Sequence, residues 1–352
     1  MHGHEGAVRA VEGALAAGRL SHAYLFTGPA HVGKATLATA LAQAVNCTAV
    51  VASAEAPAMD FGNASLAPAA MRVPCGVCPA CTRIAAGEHS DVQTLTVDTE
   101  AEKGPTTVIG IERVRELIAS AHLLPYEGRS RVYLIDPADR MQEAAANALL
   151  KVLEEPPPGV LILLVTANPD GILPTIRSRC QEIALRPLPE AQIAQVLKAE
   201  HEQSPEQAAT LARLSRGCIG WAITAAHEPA VPAGLHQRLE RIATVCEGGL
   251  VERFAYAEDL ARRFQRDRAA GRDEMALWTR WLRDVLLLQH GQDERILHTA
   301  WAATLRRLAA GLSPGALAGW LRATESTLDA LERNASPRLA LEALMLGAPR
   351  PA

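Results

Sequence analysis

Three groups of residues in this 352-residue chain have types and spacings that could do chemistry. The first is Gly28-x4-Gly33-Lys34, lying between a short apolar run at 23–26 and an expected helix over 37–45. Strand, glycine loop and helix in that order form the setting a phosphate site needs. Backbone N–H groups and the helix N-terminus cradle the oxygens, and the lysine reaches the terminal phosphates. The second is Asp136, which stands where the apolar run Val132, Tyr133, Leu134 and Ile135 stops. A fully buried parallel strand reads this way when a carboxylate is placed at its C-terminal end. The third is Cys75-Gly-Val-Cys78-Pro-Ala-Cys81, a spacing that brings three thiols together for tetrahedral Zn²⁺. A closed structural site needs a fourth ligand. Cys47, at the end of the expected helix, is the first choice and His89 the second.

The phosphate site is incomplete. Ala35 occupies the position at which such loops carry the Ser or Thr whose hydroxyl binds magnesium. Thr36 is one residue later, and one residue turns a helical side chain by about 100°. Pro137 follows Asp136, and proline has no acid–base capacity.

The elements that must position these residues read as an α/β layer followed by helices. A helix is expected over 7–19, ending near Gly18, and further buried strands at 132–135 and 160–165. Between those two strands, Asn147, Leu150, Lys151 and Glu154 share one helical face, and Pro156, Pro157 and Pro158 stop the helix. Arg186-Pro-Leu-Pro189 is a hinge-like break, after which three helices are expected at 191–200, 204–214 and 218–227. From 235 to 346 the periodicity is helical throughout.

Composition agrees with that layout. The apolar fraction is 49% but aromatics make up only 4%, which favours helices and α/β layers over an aromatic-rich sandwich. A formal charge of −4 gives no whole-protein positive field for nucleic acid. No stretch is long and apolar enough to cross a bilayer, and the N-terminal residues lack a signal-peptide layout. Seven cysteines without a secretory signal imply reduced thiols or metal ligation, and a cytoplasmic location. Cys180, Cys218 and Cys246 lack ligand spacing and read as small buried hydrophobes.

The wording of several stretches is more specific than their pattern. Asp136, Asp139-Arg140-Met141, Asn147-Ala-Leu-Leu-Lys151, Leu153-Glu-Glu-Pro-Pro157 and Ser178-Arg179-Cys180 resemble the clamp-loader branch of the AAA+ ATPases. The chain is most similar there to the delta prime subunits of bacterial DNA polymerase III, with the gamma/tau subunits next. The resemblance implies an AAA+ P-loop domain over 1–187, with a parallel sheet and a zinc-binding insertion at 47–81. A helical lid over 188–234 and an all-α collar over 235–352 would follow. It implies Zn²⁺ on Cys47, Cys75, Cys78 and Cys81, with 50–72 as an inserted loop. It places any ATP and Mg²⁺ against Gly28, Gly33, Lys34, Thr36 and Asp136, and a γ-phosphate sensor at Thr166 or Asn168.

By the same resemblance, Arg179 would project into the ATP site of an adjacent subunit, with local pairing or helix capping as the alternative. Trp221 stands where motor subunits place a second sensor arginine. Together with Ala35 and Pro137 it marks a chain that hydrolyses ATP poorly or not at all. The implied partners are the gamma/tau and delta subunits, the sliding clamp, and primer–template DNA through the complex, with no membrane. Two rival readings are a gamma/tau-like motor, favoured by Lys34 and Asp136, and a zinc-stabilised adaptor using the fold for protein binding. Arg113, Arg115, Arg129 and Arg131 are expected on a solvated face or in internal pairs rather than on phosphates.

Overall fold

The apolar runs of the first half become the strands of one parallel sheet in a computed structural model that describes residues 2–49, 74–97 and 108–350. The chain divides into two units, Met1–Ile223 and Thr224–Ala352. In the first unit the elements run α1 (Glu5–Ala16), β1 (Ala23–Thr27), α2 (Lys34–Asn46), α3 (Pro79–Ala86), β2 (Val92–Leu95), α4 (Ile111–Ala121) and β3 (Arg131–Ile135). They continue with α5 (Glu143–Glu154), β4 (Val160–Thr166), α6 (Pro174–Arg177), β5 (Gln181–Ala184), α7 (Glu190–Glu200) and α8 (Pro205–Ser215). A ninth helix, α9 (Ile219–His227), crosses the boundary between the units. The expected insertion at 50–72 lies outside the described residues.

The sheet order is β2-β3-β4-β1-β5, every pair parallel. Every residue of β1 and β4 is buried, as the unbroken apolar runs require for strands covered on both faces. Alternation then divides each strand between two cores. Tyr24, Phe26, Val132, Leu134, Leu161 and Leu163 pack with α1 and α2 on one face. Leu25, Tyr133, Ile135, Ile162 and Leu164 pack with α4 and α5 on the other.

The second unit is all helical from α10 (Ala230–Glu247) through α11 (Leu250–Arg266), α12 (Arg268–Gln289), α13 (Ala302–Gly311), α14 (Pro314–Glu332) and α15 (Pro337–Leu346). Its few aromatics are concentrated in the core, with Trp278, Trp281 and Trp320 buried and Trp301 partly covered by the His236 ring. Arg253 is also buried there, donating to the carbonyls of Val245, Cys246, Ala348 and Pro349. Carbonyls at the ends of α10 and of the chain after α15 thereby replace water around the guanidinium.

Candidate functional site

Parallel strands bring the C-terminal ends of β1, β3 and β4 to one sheet edge, so Gly28, Asp136 and Thr166 meet in one crevice. Gly28 has φ 137°, and a Cβ there would come 2.2 Å from Leu185 O, so the turn out of β1 admits only glycine. Gly33, at φ 110°, turns the chain into α2 and places Lys34 at its first position. Lys34 is 6% exposed, and its ammonium donates to Gly28 O at 2.8 Å and Pro29 O at 2.6 Å. Burial lowers its pKa, and the nearby charges of Asp136, Cys218 and Asp139 partly offset this. Burial raises Asp136 in turn; Lys34 pulls it back and Asp139 pushes it further up.

Gly28, Gly33, Lys34 and Asp136 therefore stand together. Thr36 lies two positions into α2 and is exposed beside Ala35. The Thr166 hydroxyl is buried and donates to Asp139 at 2.6 Å, while accepting from Asn168 N at 2.9 Å. A further contact has no signal in the sequence: Gly220 N, in the first turn of α9, donates to His31 O of the glycine loop at 2.8 Å. A Cβ on Gly220 would stand 2.8 Å from the same oxygen, so the close approach depends on glycine.

Arg179 does not join this crevice. It sits between α6 and β5, where the parallel strands begin, whereas Lys34 and Asp136 sit where they end. Five residues of β1 separate the two edges, roughly 15 Å at about 3.3 Å per residue. Its guanidinium donates to Thr175 O at 2.9 Å and Ser178 Oγ at 3.3 Å, and pairs with Glu154 Oε1 at 2.7 Å. Helix capping and local pairing thus both occur, on a side chain 36% exposed.

The cysteine spacing closes in space. The Sγ atoms of Cys47, Cys75, Cys78 and Cys81 all lie within 4.8 Å of one another, with Cys47 and Cys78 at 3.9 Å. Thiolates held about 2.3 Å from a tetrahedral zinc stand about 3.8 Å apart, so the donor set fits Zn²⁺ in kind and spacing. Cys47 follows the last residue of α2, and Cys78 caps α3 by accepting from Cys81 N. Burial alone would raise the Cys78 thiol, but bonds from Thr48 and Cys81 bring it down to about 5. Burial, with the Cys78 and Cys47 sulfurs alongside, pushes Cys81 up to about 12.

His89, the second choice for the fourth ligand, is engaged elsewhere. Its Nδ1 accepts from Asp91 N at 3.1 Å and its Nε2 lies 3.9 Å from Glu127. Of the remaining cysteines, Cys246 is buried, but Cys180 and Cys218 are only partly so. Basic residues before β3 and at its first position make internal contacts: Arg113 with Thr96 O, Arg129 with Cys47 O, and Arg131 with Leu124 O.

Known proteins are similar to this chain over part of its length. A tau subunit of DNA polymerase III from Escherichia coli K12 is 33% identical over 223 residues, 62% of this chain and 30% of that protein. A gamma/tau subunit from Mycobacterium tuberculosis H37Rv is 35% identical over 176 residues, 50% of this chain and 26% of that protein. A DNA polymerase III subunit delta' from Pseudomonas aeruginosa is 38% identical over 171 residues, 49% of this chain and 44% of that protein. The chain thus spans less than half the length of each of these relatives. The model of the family described as DNA polymerase III, delta subunit, matches residues 3–189, which hold the sheet, the glycine loop, the four cysteines and Arg179. This chain belongs to the DNA polymerase III, delta subunit, family.

Proposed function

We propose that the chain is the delta prime subunit of a bacterial clamp loader, helping to place the sliding clamp on primed DNA in the cytoplasm. In this reading 1–187 is the AAA+ P-loop domain, 188–234 its lid, and 235–352 the collar joining it to gamma/tau and delta subunits. Primer–template DNA is met through the complex. Arg179 acts in trans, stabilising charge on the phosphoryl group transferred in a neighbouring gamma/tau site. Guanidinium suits that task because it stays charged and binds oxygens as a fork.

The observation that carries this reading is the position of Arg179 at the sheet edge opposite its own phosphate loop. An arginine there is useless to Lys34 of the same chain, and available to a second subunit. Ala35 and Pro137 support the other half of the reading, since position 35 carries no hydroxyl for magnesium and position 137 no acid to orient water. Any ATP held against Gly28, Gly33, Lys34, Thr36 and Asp136 would be bound weakly and turned over poorly. The four thiolates hold Zn²⁺ in a structural role: the ion ties the end of α2 to α3, and four protein ligands leave no position for water.

The motor reading keeps one point in its favour, the shared crevice of Lys34 and Asp136. Turnover of ATP by the purified chain decides between them, measured beside a Lys34→Ala control. The proposal expects no turnover that the substitution removes. Turnover abolished by Lys34→Ala would make the chain a gamma/tau-like motor. An adaptor that uses the fold only for binding would lose nothing on Arg179→Ala in the assembled complex.

A further inference from the structure

The segment 122–130, between α4 and β3, carries three large exposed apolar side chains, Leu123 at 62%, Leu124 at 87% and Tyr126 at 84%. A loop with so little buried side chain would ordinarily be loose. Here its backbone is fastened at both ends of the cysteine module. Asn46, the residue before Cys47, is 2% exposed and bonds the loop through both the oxygen and the nitrogen of its amide. Its Oδ1 accepts from Arg129 N at 2.8 Å and Ser130 N at 3.0 Å, and its Nδ2 donates to Ser130 O at 3.0 Å. Arg129 Nη2 returns to the carbonyl of Cys47 itself at 2.6 Å.

On the other side, Arg83 lies two residues after Cys81 on α3 and pairs with Glu127 at 2.6 Å. Asp91, buried just beyond that helix, accepts from three successive backbone N–H groups: Tyr126 at 2.7 Å, Glu127 at 2.8 Å and Gly128 at 2.7 Å. Gly128 is squeezed between the two anchors, because a Cβ there would come 2.7 Å from Asn46 Oδ1 and 3.2 Å from Asp91 Oδ2. The loop is thus bonded to α2 through Asn46 and Cys47, to α3 through Arg83, and to the start of β2 through Asp91, whose carbonyl also accepts from Val132 N at 2.8 Å. Its shape depends on those parts staying in register, and the cysteine cluster crosses between α2 and α3 beside the Gln43 Nε2 bond to Cys81 O at 2.9 Å and the packing of Ile84 with α2.

We propose that the four-cysteine module is the positioning element of the 122–130 loop, so that metal occupancy sets whether Leu123, Leu124 and Tyr126 are presented in fixed places. The inference rests on the zinc reading above and assigns that site an effect on a surface it does not itself form. Without the metal cross-link, α3 is held to α2 by the Gln43 bond and the packing of Ile84, so the end of α2 that carries Asn46 and Cys47 is joined to it less firmly. The bonds from Asn46 and from Arg83 then reach the loop from two parts less firmly joined, and its amides open more often.

Amide hydrogen exchange on the full chain, zinc-loaded and then stripped by a chelator, tests this with zinc content measured on the same samples. The expected result is exchange about tenfold or more faster at 126–130, with the amides of β1 and β4 unchanged. Unchanged exchange at 126–130 in a chain that has lost its zinc overturns the proposal alone. Equal acceleration through β1 and β4 overturns it too, since the metal would then hold the whole unit. A chain that takes up no zinc overturns it together with the zinc reading. Zinc-loaded Arg83→Ala gives a second measurement with every thiol present. Faster exchange at 127 and 128 with zinc retained supports the coupling, and wild-type exchange there contradicts it.

Discussion

Arg179 Nη2 rests 2.7 Å from Glu154 Oε1, so an acid of its own chain holds the guanidinium that the proposal assigns to a neighbour. The two side chains are 36% and 51% exposed, and a pair so open to water contributes about 0–1 kcal/mol. That is weak enough to be exchanged for phosphate oxygens, which attract the fork more strongly. Glu154 belongs to the Leu153-Glu-Glu-Pro-Pro157 stretch, so the resting place of the arginine lies in one of the chain's most recognisable motifs.

Glu154→Gln should therefore shift the melting temperature by less than about 4 °C and leave ATP turnover by the assembled complex at or above the wild-type rate. Melting curves and steady-state turnover check both halves. A fall in turnover with assembly intact would mean that Glu154 aims the arginine rather than parking it.

The zinc site makes a sharp distinction between two residues. Cys47→Ala should weaken zinc binding by more than the 10–100-fold usual for outer-shell changes, roughly, because a ligand itself is lost. His89→Ala should leave one zinc per chain, since His89 faces Asp91 and Glu127 instead. Metal analysis of both purified variants reads this directly. Zinc lost from His89→Ala and kept by Cys47→Ala would reverse the assignment.

Asp91 gives the loop at 122–130 an acid limit. Burial pushes its carboxyl up, but the N–H groups of Tyr126, Glu127 and Gly128, with Arg131 nearby, outweigh burial and hold it below the ordinary 3.8. A folded-state value below the unfolded one gives stability that is complete above 3.8 and fades as pH falls through the folded value. Asp91→Ala should cost about 2–4 kcal/mol at neutral pH, from the loss of charge-assisted bonds to buried donors. The gap in stability between wild type and the variant should narrow as pH drops from 5 towards 3. Denaturant unfolding at several pH values measures it, and a gap that is the same at pH 3 and pH 6 would refute the account.

Gly28 separates packing from chemistry in the phosphate loop. Gly28→Ala should destabilise the chain by more than about 1–3 kcal/mol, because its Cβ meets the Leu185 carbonyl and its φ suits glycine. The loss should appear without any nucleotide present. Wild-type stability in that variant would show that the loop can re-form around a side chain, and that the glycine is kept for phosphate alone.

The sheet was readable because a strand buried on both faces must be apolar at every position, and β1, β3 and β4 are nearly so. Lys34 and Asp136 could be placed together for the same reason: parallel strands put their C-terminal ends at one edge. The cysteine triple was legible from spacing, whereas Cys47, 28 residues before Cys75, has no such local spacing signal and is favoured over His89 by its place at the end of a helix and by the resemblance. Asn46, Asp91 and Gly220 were invisible for a related reason. Each is a single residue whose partner lies 35 or more positions away, and one sequence carries no record of such pairs. Arg253 went unread because arginines are expected at the surface, and only the fold reveals the carbonyls that surround it.

The central claim is that this chain acts on its neighbour's nucleotide and not on its own. Steady-state ATP turnover by the complex reassembled with gamma/tau and delta tests it most directly, comparing wild type, Arg179→Ala and Lys34→Ala at equal assembly. Arg179→Ala should slow the one adjoining site by about 10³-fold or more, as loss of an arginine finger does, while Lys34→Ala leaves total turnover unchanged. Turnover that survives Arg179→Ala and falls with Lys34→Ala would contradict the account and make this chain a motor.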